Sequence, residues 1–136
     1  RSTLFPYTTL FRSITNVIKH RPPDNRAPMK DEVRACLPYL LQQIKAINPR
    51  VIVPLGRFAL EVFLQGKPIS EIHGEPFKSG NRVIFPLYHP AAALRSKEVL
   101  RILEEDFRKL PKVIRGELPA QELEIENKDE NQLKLI

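Results

Sequence analysis

A chain of 136 residues fits one domain or a fragment of one, and 42% hydrophobic residues is enough for a packed core. Its apolar runs are far too short to cross a bilayer, and its single cysteine excludes an internal disulfide framework and fits a reducing compartment, so a soluble, cytoplasmic protein is expected. The net charge of +6 is uneven, about +10 over residues 1–116 and −4 over residues 117–136, which points to a polyanionic partner, most simply nucleic acid, or to a merely solubilising surface.

In chain order, the run Thr3 to Ser13 resembles the conceptual translation of a sequencing-library adapter, and residues 1–13 are expected to lie outside the native fold. As genuine sequence the same run would suit a strand. Ile14 to Lys19 reads as a short strand, and residues 20–29 as a loop stiffened by Pro22, Pro23 and Pro28. Lys30 to Asn48 reads as a helix, with Val33, Cys36, Leu37, Leu40, Leu41, Ile44 and Ile47 at helical spacing. Asp31 and Glu32 suit its start, Asn48-Pro49 its end, and Pro38 should cost it a hydrogen bond. Arg50 to Leu55 is a strand of the doubly buried kind, and Gly56 turns the chain into a helix from Arg57 to about Leu64. Residues 65–81 are punctuated by Gly and Pro, with a short extended piece around Ile69 to His73. Arg82 to Tyr88 is another buried strand, and Ala91 to about Leu110 a helix with Leu94, Leu100, Leu103 and Phe107 apolar. Beyond Pro111 the pattern lapses, and residues 117–136 form an acidic tail expected to be disordered. The alternation predicts an α/β domain over residues 14–116, a parallel sheet with helices on both faces.

Two stretches carry chemistry. In Ile14-Thr15-Asn16-Val17-Ile18-Lys19-His20-Arg21-Pro22-Pro23 and in Pro86-Leu87-Tyr88-His89-Pro90-Ala91-Ala92-Ala93-Leu94-Arg95, an apolar strand ends in hydrogen-bonding groups and is stopped by proline. Open α/β sheets bind ligands at strand ends, where Asn16 and His89 could grip a flat neutral ligand such as a nucleobase. Each residue also has a plainer reading. Asn16 could tie down a loop, and His89 could be satisfied by backbone. Leu94 could be core, and Lys19, Arg21, Arg26 and Arg57 could be solvated.

These stretches, with Asn25-Arg26, Cys36 and Leu55-Gly56-Arg57 in the same order and at similar spacing, resemble the family 4 uracil-DNA glycosylases from about Ile14 to Leu110. The resemblance implies a three-layer α/β/α fold with a central parallel sheet, here missing its first strand. It implies a monomeric DNA-repair enzyme that flips uracil out of DNA and excises it hydrolytically. By resemblance, Asn16 reads the uracil edge and His89 stabilises negative charge on the departing base. Leu94 is the wedge that enters the duplex and Arg95 holds a phosphate, with Lys19, Arg21 and Arg26 on the DNA side. Gly56 and His73-Gly74 are expected to serve turns.

Two departures qualify this. The family's iron–sulfur cluster uses four cysteines; Cys36 matches one position and His20 stands at another, so no cluster or other cofactor is expected. The resemblance places a water-positioning acid and a stacking aromatic upstream of Ile14, so the chain by itself is expected to be inactive. A catalytically silent DNA- or nucleotide-binding module on the same fold is the alternative.

Overall fold

A computed structural model describes residues 13–123 of the chain. The adapter-like run up to Arg12 and the tail from residue 124 onward lie outside the described residues. The chain divides into two compact units, one ending at Leu40 and the other beginning at Leu41.

In the first unit, Ile14 to Lys19 forms no strand. β-propensity needs a ladder partner to become a strand, and here the segment is tied locally instead. Lys19 Nζ donates to Thr15 Oγ1 and to the Asn16 carbonyl, both at 2.7 Å, and the Lys19 N–H reaches Cys36 Sγ at 3.4 Å. A 3-10 turn follows at Pro23–Asn25. Helix α1, Lys30–Ile47, spans the boundary between the units. Glu32, its third residue, accepts from the Met29 N–H at 2.8 Å, which is half of a capping box. Cys36, Leu37, Leu40 and Ile44 are its buried stripe, while Ile47, expected in that stripe, is half exposed. The helix ends at Asn48, whose φ of 49° is the left-handed exit an asparagine tolerates, with its N–H returned to Ile44 O.

The second unit is built on a four-stranded sheet, in the order β1 (Val51–Ile52), β3 (Arg82–Ile84), β2 (Phe77–Ser79), β4 (Gln121–Glu122). The α/β class holds, but the sheet is mixed. β1 and β3 are parallel, as are β2 and β4, while β2 and β3 form an antiparallel hairpin. Gly80, at φ 58°, opens the two-residue turn that joins them. The expected extended piece near Ile69 is instead helix α3 (Ile69–Ile72), which follows α2 (Gly56–Phe63). The tail expectation also changes at its start, because Gln121–Glu122 pairs with β2.

The predicted helix from Ala91 is two helices, α4 (Pro90–Ala93) and α5 (Lys97–Ile114). Ser96 separates them by capping α5 through Oγ, which accepts from Val99 N–H. α5 also runs past Pro111, because Val113 still buries against the core and supports that last turn.

Phe85, Leu87, Ala93, Leu103 and Val113 form the packed centre, with Val51, Val53, Leu55 and Val83 against it. Residues two apart on adjacent strands therefore present one face to α5. Ile84, on the other register, is equally buried, so the strand is covered on both faces as its continuous apolar run requires. Among the described residues no helix is long and apolar enough to cross a membrane.

Candidate active site

The parallel ladder continues beyond the regular strands and delivers the site. Leu87 N–H donates to Pro54 O at 3.0 Å, Leu55 bridges Leu87, and Gly56 N–H donates to Leu87 O at 2.8 Å. Fixed in this way, the chain passes through Tyr88 to His89. Pro90 then sets the first turn of α4, and His89 is its N-cap.

The cap defines the imidazole. Ala91 N–H donates to His89 Nδ1 at 3.0 Å. A nitrogen that accepts from a backbone N–H carries no proton, so the neutral ring is protonated at Nε2. His89 is exposed, and it offers a neutral N–H donor at the strand end. Of the alternative of a buried, backbone-satisfied histidine, only the backbone bond at Nδ1 applies, since the residue is exposed.

At the end of α4, Ala93 is buried in the core and anchors the loop, while Leu94 just after it is 89% exposed. The core alternative for Leu94 is therefore excluded. Arg95 beside it is exposed as well, and Arg57 lies over the Phe58 ring at 4.9 Å.

Behind Tyr88 lies a cluster that sequence reasoning missed. Asp106 is only 2% exposed, yet it carries a carboxylate. Its Oδ2 lies 2.7 Å from His73 Nδ1 and its Oδ1 accepts from Lys109 Nζ at 2.9 Å. Lys109 also reaches Gly74 O at 3.4 Å, and the His73 ring lies 4.9 Å from that of Tyr88. Asp106 sits three residues after Leu103 and four before Leu110, on the core face of α5. A charged residue on an apolar stripe was the signal available.

In the first unit, Asn16 is exposed. The loop is tied by Lys19, and the Asn16 side-chain amide takes no part in those bonds. Arg26 is not a free cation for DNA. Its guanidinium bonds both carboxylate oxygens of Glu32, at 2.7 and 2.9 Å, and also Ala27 O. The fork raises the basicity of Arg26, and together with the Met29 N–H it lowers the Glu32 carboxyl to about 2. Lys19 is likewise engaged within its own loop, and Arg21 is exposed.

His20 Nδ1 lies 3.6 Å from Cys36 Sγ, so the two family cluster positions are neighbours. No group of three or more His, Cys, Asp or Glu among the described residues could hold a metal ion. One thiol and one imidazole are too few donors for an iron–sulfur cluster, and the thiol already accepts the Lys19 N–H.

The uracil DNA glycosylase superfamily model matches residues 12–115. The type-4 uracil-DNA glycosylase of Sulfurisphaera tokodaii is 43% identical over 106 residues, covering 71% of this chain and 48% of the relative. That of Saccharolobus solfataricus is 40% identical over 110 residues, covering 74% of the chain and 51% of the relative. That of Thermotoga maritima is 44% identical over 109 residues, covering 76% and 57%. The chain thus spans about half the length of these curated relatives. With a family match that takes in the ladder, the His89 cap and the Leu94 loop together, the chain belongs to the uracil DNA glycosylase superfamily.

Proposed function

We propose that this chain supplies the leaving-group and DNA-wedging half of a uracil-DNA glycosylase, a monomeric enzyme that cleaves the bond between uracil and deoxyribose by hydrolysis. The observation that carries this reading is the bond from Ala91 N–H to His89 Nδ1, which leaves the proton of the neutral ring on Nε2. As the glycosidic bond breaks, its electron pair passes to uracil and negative charge gathers on O2. The Nε2–H of an exposed ring held by its Nδ1 bond meets that charge without the repulsion a second acceptor would bring.

Asn16 takes the reading role. Its amide accepts from uracil N3–H and donates to O4, whereas cytosine presents the opposite pattern. Leu94 fills the gap left by the flipped nucleotide and Arg95 holds a neighbouring phosphate, roles supported by their exposure beside a buried anchor at Ala93. Arg21, exposed in the first unit, adds a phosphate contact. The resemblance assigns water activation and base stacking to a loop upstream of Ile14, so excision is proposed for the chain joined to that loop.

The test is a glycosylase assay on a uracil-containing oligonucleotide, with the chain alone and with the chain extended by the upstream portion of its relatives. The extended protein is expected to release uracil, and the chain alone to bind DNA weakly, in a salt-sensitive way, without release. DNA binding by both forms with release by neither would overturn the enzymatic reading in favour of a silent binding module.

A further inference from the structure

We propose that Gly56 is a positioning residue for His89. It holds the imidazole in register with the ladder by having no side chain. This extends the leaving-group role proposed for His89 and rests on it where activity is the readout.

Gly56 is fixed from three sides. Its N–H is bonded to Leu87 O, its neighbour Leu55 bridges Leu87, and its φ is 78°. A Cβ placed on it would stand 2.8 Å from His89 Cβ, and 3.6 Å from both Cα and Cγ of the same residue. A separation of 2.8 Å is well inside carbon–carbon contact, and the atoms met are the root of the His89 side chain and its backbone, not a flexible tip. His89 is therefore seated against the Gly56 backbone on one side, while Ala91 N–H holds Nδ1 on the other. Together the two contacts set where Nε2 points. A turn requirement explains the positive φ but not the contact. Gly66 and Gly116 have φ of 72° and 71° with nothing within 4 Å of an added Cβ. They are internal controls for backbone strain without a neighbour.

The experiment compares Gly56→Ala with Gly66→Ala and Gly116→Ala. In the extended protein, Gly56→Ala should lower kcat by about tenfold or more with KM within about twofold, since misplacing a catalytic group costs rate more than affinity. The two controls should stay within about twofold of the parent. In the 136-residue chain, ¹⁵N spectra of the imidazole should show Nδ1 as the unprotonated nitrogen in the parent and both controls. The signal should move in Gly56→Ala as the Ala91 bond is lost. Equal losses in all three variants would assign the effect to φ strain and overturn the proposal, as would an unmoved His89 signal in folded Gly56→Ala. If Gly56→Ala unfolds too readily for spectra, a thermal cycle decides. Its Tm penalty should persist in a His89→Ala background, which keeps the Cβ, and shrink by at least about 3 °C in a His89→Gly background, which lacks it. The same penalty in both backgrounds would refute the contact. If the extended protein releases no uracil, the leaving-group reading fails, and the imidazole spectrum and the thermal cycle still decide the seating of His89.

Discussion

The Ala91 N–H and His89 Nδ1 meet at 3.0 Å, and this one bond turns a surface histidine into a donor of defined direction. The cap requires the chain to enter a helix at once after the strand, which Pro90 enforces. Replacing His89 by Ala in the extended protein should therefore lower uracil release by roughly 10²–10³-fold, the usual loss for one donor to a developing anion. Affinity for uracil-free DNA should change little. Single-turnover release with a parallel binding titration checks both, and full release by the variant would remove the role.

A second prediction concerns Asp106. Its carboxylate is enclosed, but both partners reach solvent, with 25% of the His73 side chain and 42% of that of Lys109 exposed. Asp106→Ala should cost about 2–3 kcal/mol of stability, below the ~3–5 kcal/mol typical when one partner of a fully buried pair is removed. Chemical denaturation measures it. A loss under about 0.5 kcal/mol, the range of ordinary surface changes, would show that the cluster holds nothing together.

Much of the second unit was legible in sequence because its strands are buried on both faces and so read as unbroken apolar runs. Val51-Ile52-Val53 and the run from Val83 to Leu87 need no partner information to be recognised. Ile14 to Lys19 misled because β-branched residues suit a strand only if another strand lies alongside. Phe77–Ser79 was missed for the opposite reason, since a three-residue strand with polar Lys78 and Ser79 sits among Gly and Pro and takes its shape from hairpin pairing. His89 stood out in the sequence because it ends a strand before a proline. Its seat on Gly56 and the Asp106 cluster were not, because both are contacts between segments distant in sequence.

The third prediction follows from the Arg26–Glu32 fork. The Glu32 carboxyl is lowered from 4.5 to about 2, first by the Arg26 hydrogen bond and then by the Met29 N–H. A carboxylate lowered on folding adds stability that is complete above its unfolded value and is lost as pH falls to its folded one. The stability gap between the parent and Glu32→Gln should thus be full at pH 7, begin to narrow near 4.5 and close towards 2. Denaturation midpoints across that range test it, and a gap unchanged down to the lowest pH would show that the fork does not act through charge.

A fourth prediction uses the exposure of Leu94. With 89% of it in solvent, Leu94→Ala should leave stability within about 0.5 kcal/mol of the parent. If the side chain enters the duplex, the variant of the extended protein should lose more activity on double-stranded than on single-stranded substrate, because only the duplex has to be opened. Equal losses on both substrates would exclude the wedge.

The last prediction concerns Asn16, whose amide is left out of the bonds that tie its own loop. An amide that accepts at one atom and donates at the other separates uracil from cytosine by pairing both edge groups of one base and neither of the other. Asn16→Ala removes the correct pairs and the mismatches together. The extended variant should therefore lose excision of uracil and, in relative terms, lose preference against cytosine. Asn16→Asp removes the donor to O4 and keeps an acceptor for N3–H, so it should favour cytosine relative to the parent. Release from matched uracil and cytosine oligonucleotides, compared as kcat/KM ratios, decides the point. A preference unchanged in both variants would move base reading to another residue, while the leaving-group role of His89 would stand on its own test.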